Sequence, residues 1–307
     1  MEVIWIPLSV FAALMQAIRT AAQKTLNQTM STMGTTYVRS LFGLPFIALF
    51  LAGLLYLEGG GVPSFSRVFL AFAFGGALSQ ALVTALLIHM FSLKSFVVGT
   101  MLTKSDILLT ALVGSALFSE RITAIGWIGL LVMFGGVLLM LVGKLELRTL
   151  VARGDTRRFD LFGRVTQVAL MCALMFTMSY LCFREATLIL QPGGFLWRGT
   201  WTVLVGTGMQ TIFLGAWLLI REPGVFHQLW PNRRLISFIG MTSALGSIGW
   251  FGAFALQNAS YVRAVGQIES LFTLAISWGY FREKITRLEL LGMMTMVVGV
   301  LMFRVVK

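Results

Sequence analysis

Phe118-Ser119-Glu120-Arg121-Ile122-Thr123 and Phe281-Arg282-Glu283-Lys284-Ile285-Thr286 are one turn written twice, 163 positions apart. The match runs outward from them. Residues 104–138 fall on 267–301, so Gly129 meets Gly292, Gly136 meets Gly299, Asp106 meets Glu269 and Thr110 meets Thr273. Near the front of each half, Ala13-Leu14-Met15 matches Ala173-Leu174-Met175 and Lys24 matches Arg184 at an offset of 160, while Arg39 matches Arg198 after a one-residue gap. Apolar composition alone does not give agreement at both ends of two halves. The chain therefore reads as a first repeat over 1–143, a basic linker over 144–163, and a second repeat over 164–307.

The solvent of these repeats is lipid. Of 307 residues, 57% are hydrophobic and 12% are charged, where a soluble domain carries about a quarter charged. Hydrocarbon admits helices or closed barrels only, and the apolar runs here have helix length rather than the short alternation of strands. Ten spans are expected, at roughly 3–26, 35–57, 67–91, 95–118, 123–143, 164–189, 194–220, 235–257, 259–281 and 286–304. The N-terminus lacks a basic leader and a small-residue cleavage site, so the first span is read as retained. Five spans per repeat is an odd number, so the second copy enters the membrane from the opposite side. The predicted fold is an all-α polytopic membrane protein of ten transmembrane helices in two inverted five-helix repeats, with a site near the midplane between them.

The net charge of +12 would point to nucleic acid in a soluble protein. Here the basic residues sit in short loops between apolar runs, as orientation in a membrane requires, and nucleic acid is excluded as a partner. Fourteen Lys and Arg lie on the side opposite the termini, six of them Lys144, Arg148, Arg153, Arg157, Arg158 and Arg164, against four to six on the termini side. Positive-inside then puts the linker in the cytoplasm and both termini outside the inner membrane.

An Arg early in the second span of each half, and a Glu-x-Ile-Thr turn leading into a helix with Gly-x6-Gly-Val, resemble the drug/metabolite transporter superfamily in its EamA-type branch. The resemblance covers most of the chain. It implies ten helices, alternating access, and export or uptake of small organic metabolites, with both termini in the cytoplasm. The last point opposes the charge count, which rests on this chain. A Lys and an Asp together in the fourth span depart from a bland member.

Charge inside a span is expensive, at least about 2.5–3.5 kcal/mol per residue. Asp106 and Glu269 lie near the middle of the fourth and ninth spans as repeat equivalents, and are the first candidates for the site. A carboxylate at that depth loads and releases a proton as a cavity opens to each side, which makes protons a candidate coupling ion; the structural alternative is an ion pair with Lys104, Arg19 or Arg263. Lys104 and Asp106 are two apart and project about 200° from one another on a continuous helix, so only one of them is expected to face a cavity. Gln267 precedes Glu269 by two. Arg19 aligns with Ser179, an asymmetry that favours a substrate role. Arg39, Arg198 and Arg263 are candidate gate or anion contacts, snorkelling to headgroups being the plainer reading for the first two. Trp250 lies mid-span beside Gly246 and Gly249, a poor place for an interface anchor and a good one for a cavity wall.

Other features read as structure. Glu120 and Glu283 belong to turns, and Thr123 and Thr286 are N-caps. Gly129/Gly136 and Gly292/Gly299 form small-residue stripes, read as close packing within each half or a dimer face; monomer and homodimer stay open. Cys172 and Cys182 match neither a disulfide framework nor a zinc site, and no cofactor or metal is implied. His89 and His227 are the only histidines, and neither H-E-x-x-H nor a P-loop occurs, so the chain is not read as an enzyme. The function expected is secondary transport of a small organic metabolite, anionic or zwitterionic because the basic residues in the spans outnumber the acidic ones. The alternative is a flippase for a lipid or lipid-linked intermediate, which a lateral opening to lipid would distinguish; an intramembrane enzyme is remote.

Overall fold

The structure is a computed structural model that describes residues 3–59, 61–91, 102–144, 163–191, 193–279 and 286–303. Residues 145–162 of the linker, Glu283 and the front of the fourth span lie outside those residues. Among the described residues the elements are α1 Trp5–Leu26, α2 Thr32–Leu41, α3 Gly43–Glu58, α4 Arg67–Phe91, α5 Asp106–Leu117, α6 Ala124–Lys144, α7 Arg164–Ile189, α8 Phe195–Arg221, a 3₁₀ turn Pro223–Gln228, α9 Arg233–Phe254, α10 Ala259–Gly266, α11 Glu269–Gly279 and α12 Arg287–Phe303. Seven of the described helical segments are long and apolar enough to cross a bilayer, counting α2 and α3 as one. Those two meet at Phe42, where Pro45 cannot donate to the Leu41 carbonyl and the ladder is interrupted. The fourth, ninth and tenth expected spans appear as α5, as α10 with α11, and as α12. Large apolar side chains face outward over much of the surface, among them Leu57, Ile212, Leu219, Met294 and Leu301, as a multi-pass membrane protein requires.

The most extensive packing joins α6 to α12, α4 to α7 and α1 to α9. Exchanging the two halves leaves this set unchanged: α4·α7 becomes α9·α1, and α6·α12 maps onto itself. The α6·α12 seam shows the symmetry at atomic detail. A Cβ on Gly129 would meet Phe303 and one on Gly292 would meet Met140; one on Gly136 would meet Met296 and one on Gly299 would meet Met133. Each pair of contacts is related by the 163-residue offset. The glycine stripes therefore pack one half against the other, not within a half. The expectation failed because an inverted repeat places its fifth helix against its own copy, so small residues are needed on the shared face.

Both N-caps form: Thr123 Oγ1 accepts from Gly126 N–H at 3.1 Å, and Thr286 Oγ1 accepts from Glu289 N–H at 3.2 Å while Glu289 Oε2 accepts from Thr286 N–H at 2.7 Å, a reciprocal capping box.

Candidate functional site

The fourth and ninth spans are not continuous helices. Each is broken by a two-residue turn, Lys104–Ser105 in one and Gln267–Ile268 in the other, at positions again 163 apart. Short i→i+3 bonds tighten the chain there, Ser105 N–H to Leu102 C=O at 3.1 Å and Gln267 N–H to Ala264 C=O at 3.0 Å. Asp106 and Glu269 each open the half-helix that follows, α5 and α11, where the positive end of the helix dipole favours a carboxylate. The break also corrects the expected geometry of the fourth span. The unwound turn re-aims the side chains, so Lys104 and Asp106 both line one cavity.

Asp106 is 1% exposed, and its Oδ2 accepts from Arg263 Nε at 2.8 Å. The Arg263 guanidinium carbon lies 4.8 Å from the centre of the Tyr180 ring, a cation–π seat that holds the pair from its far side. The Asp106 Oδ1 is buried without a partner among the described residues. Lys104 Nζ donates to Gln267 Oε1 at 3.2 Å. These two are repeat equivalents, so their bond crosses the pseudo-two-fold axis. Gln267 itself is buried behind Lys104 and does not line the cavity.

Glu269 is held differently. It is partly buried, and its Oε2 accepts from Gln16 Nε2. Gln16 Oε1 in turn accepts from Trp250 Nε1 at 3.1 Å. Arg19 sits one turn along α1 from Gln16, within electrostatic reach of Glu269, and its buried Nε has no acceptor among the described residues. No direct ion pair joins the two among the described residues.

These groups line a cavity of about 970 Å³ that runs from Trp250, Arg263 and Asp106 to Lys24, Asn27 and Thr32. The last three mark the linker side of the membrane. One wall is aromatic and continuous: Phe176 stacks on Tyr180 with centroids 5.8 Å apart, Tyr180 meets Phe254 at 6.3 Å, Phe254 meets Phe251 at 6.0 Å and Phe251 meets Phe183 at 4.9 Å. Arg19, Arg39 and Glu269 line the same cavity.

The termini side is closed by a polar lattice around Glu120. The φ of 56° at Ser119 turns the chain inward, and Gly114 leaves room for the carboxylate, since a Cβ there would lie 2.8 Å from Glu120 Oε2. Glu120 is 4% exposed. It accepts from Ala259 N–H at 2.7 Å and from Ser260 N–H and Oγ, which caps the N-terminus of α10. Arg184 Nε lies 3.5 Å from it, and Arg184 also donates to the Gln257 carbonyl and to Asn258 Oδ1. Glu120 is thus more than a turn residue, since it ties the two halves together at that mouth.

The EamA-like transporter family model matches the chain twice, over residues 3–142 and 164–305. The chain belongs to the EamA-like transporter family. It is accordingly a multi-pass membrane protein of a transporter family, with two copies of the unit that defines it. A solved structure titled "Crystal structure of protein" superposes with a TM-score of 0.69 at 13% identity, covering 98% of this chain and 95% of that one. At that identity the likeness concerns the fold alone. No curated protein sequence matches this chain.

In this EamA-like protein, Asp106, Glu269, Lys104, Arg19, Trp250, Arg39 and Arg263 all line the one cavity. Arg198 does not. It sits at the start of α8 on the termini side, with Nη2 at 3.5 Å from the Ala255 carbonyl. Sequence reasoning passed over Gln16, the link between Trp250 and Glu269. Its signal was an uncharged polar residue three before Arg19 in an apolar helix, which puts both on one face.

Proposed function

We propose that this chain is a secondary active transporter that moves a small organic anion or zwitterion across the inner membrane by alternating access. One observation carries the substrate class. The cavity gathers Arg19, Arg39, Lys104 and Arg263 against Asp106 and Glu269, and the Asp106–Arg263 pair neutralises itself at 2.8 Å. Arg19, Arg39 and Lys104 then face a single remaining carboxylate in a pocket walled by aromatic rings. Partly buried positive charge without a full complement of counter-charge favours an anionic ligand, and the rings suit an apolar body. Alternating access is supported by the asymmetry of the two ends, which among the described residues are open toward the linker and laced together around Glu120. With the linker in the cytoplasm, as the charge count gives, this is an inward-open conformation.

The reading is tested by thermal stabilisation of the purified protein with a panel of organic acids, zwitterions, neutral solutes and permanent cations. Stabilising ligands are then assayed for counterflow in proteoliposomes. The expected ligands carry a carboxylate, phosphate or sulfonate and lose their effect in Arg39→Gln. A set of ligands made up only of permanent cations without an acidic group would overturn it.

A further inference from the structure

We propose that Glu269 is the coupling proton site and that Arg19 links it to the substrate, so that one proton and one organic anion travel together. This deepens the transporter reading and rests on it.

Of the two symmetry-related carboxylates, only Glu269 is free to exchange its proton. Asp106 is 1% exposed and bound to Arg263, which is itself seated on Tyr180; protonating it would strand a buried guanidinium. Glu269 is partly buried, faces the cavity, and has an uncharged amide, Gln16, as its hydrogen-bond partner. That partner serves either protonation state by rotating its amide, because it offers both a donor and an acceptor. The charged groups facing Glu269 are Arg19 from α1, Lys104 ahead of α5 and Arg263 from α10, with the Tyr180 hydroxyl from α7. Asp106, Arg39 and, at the mouth, Lys24 are the other charged lining residues among those described. Neither histidine lines the cavity.

Arg19 makes the coupling specific. Its Nε is buried and has no acceptor among the described residues, and it reaches Glu269 only through space. While Glu269 is ionised, the field of Arg19 is partly compensated. When Glu269 takes a proton, Arg19 is left with an uncompensated charge and an unused donor, and an anion in the cavity supplies both. By linkage the anion then raises the proton affinity of Glu269 by the same factor. The charge of the cavity is equal in two states only, empty with Glu269 ionised and loaded with Glu269 protonated. The half-loaded states carry one charge more or less, which low-dielectric surroundings disfavour for a site crossing the membrane. The stoichiometry of one proton per monovalent anion follows from that equality. A zwitterion whose ammonium group replaced the proton at Glu269 would show the opposite sign of coupling.

The test uses the full chain in nanodiscs and in proteoliposomes, with benzoate and benzenesulfonate as probes, both ionised throughout about pH 5.5–8.5. Wild-type affinity is expected to weaken as pH rises, with a limiting slope of about tenfold per pH unit for one proton taken up per anion. Glu269→Gln is expected to hold the acid-side affinity at every pH, and its accumulation of benzenesulfonate, the probe with no permeant neutral form in this range, no longer follows an imposed pH gradient. Glu269→Asp keeps the pH slope and serves where the Gln variant does not fold. Arg19→Gln loses the probe at every pH. Binding that ignores pH, or that tightens as pH rises, overturns the coupling; if uptake persists in that case, the transporter reading stands without it. Absence of both binding and uptake of either probe at every pH removes the anion reading itself, and the coupling with it.

Discussion

Replacing Gly136 by Ala probes the seam on which the two repeats meet. A Cβ there would lie 2.9 Å from the Gly292 carbonyl oxygen, 3.0 Å from the Met296 amide nitrogen and 2.7 Å from Met296 Cγ. The side-chain atom can move; the two backbone atoms move only if α12 backs away from α6. Overpacking of this kind costs about 1–3 kcal/mol, and Ala returns up to about 1 kcal/mol through its higher helix propensity. The net expectation is a loss of about 1–2 kcal/mol. Gly135 is the control on the same helix, because a Cβ there meets nothing within 4 Å; Gly135→Ala should leave stability unchanged or slightly raised. Adding Gly292→Ala to Gly136→Ala should cost less than two single losses, since a seam already opened for one methyl accepts the other. Reversible unfolding by SDS in mixed micelles measures the wild type, the three single variants and the double variant. Equal stability for Gly136→Ala and Gly135→Ala would refute the close approach and the symmetric seam built on it.

Asp106→Asn should lower stability by about 3–5 kcal/mol because it leaves the Arg263 charge buried and unpaired, and adding Arg263→Gln should recover a large part, read as a double-mutant cycle in the same unfolding assay. Glu120→Ala strips the acceptors from the α10 N-terminus and should cost about 1–3 kcal/mol, with faster amide exchange at Ala259 and Ser260 while the Thr286 capping box stays protected. A C-terminal reporter pair should give phosphatase activity and no fluorescence, placing the C-terminus outside as the charge excess of fourteen against four to six requires; fluorescence without phosphatase activity would reverse the orientation.

The fold was legible because membrane helices announce themselves by length and the duplication by matched turns. Phe118–Thr123 against Phe281–Thr286 is enough to set the offset that the α6·α12 seam then obeys residue by residue. The breaks at Lys104–Ser105 and Gln267–Ile268 were not legible. No proline marks either, and an unwound turn in the bilayer is decided by packing around a cavity, which a single sequence does not display. That one error propagated: on a continuous helix Lys104 and Asp106 diverge, whereas the turn lets both face inward. The partner of Asp106 was among the three named in advance, but the choice of Arg263 over Lys104 and Arg19 depends on how α10 crosses α5. Glu120 looked like an ordinary turn residue because its role lies in the backbone N–H groups it meets 139 residues away, and a contact between halves leaves no mark in local sequence.

The central claim is that the Arg19–Arg39 cavity is the path, open on the linker side and closed by the Glu120 lattice. It is tested most directly by a single cysteine at Ser247, which lines the cavity, in a background with Cys172 and Cys182 replaced by serine. In vesicles of known orientation, a membrane-impermeant thiol reagent should label Ser247→Cys from the linker side and not from the termini side. Benzoate at low pH should slow the reaction. Equal labelling from both sides, or labelling from the termini side alone, would contradict the account.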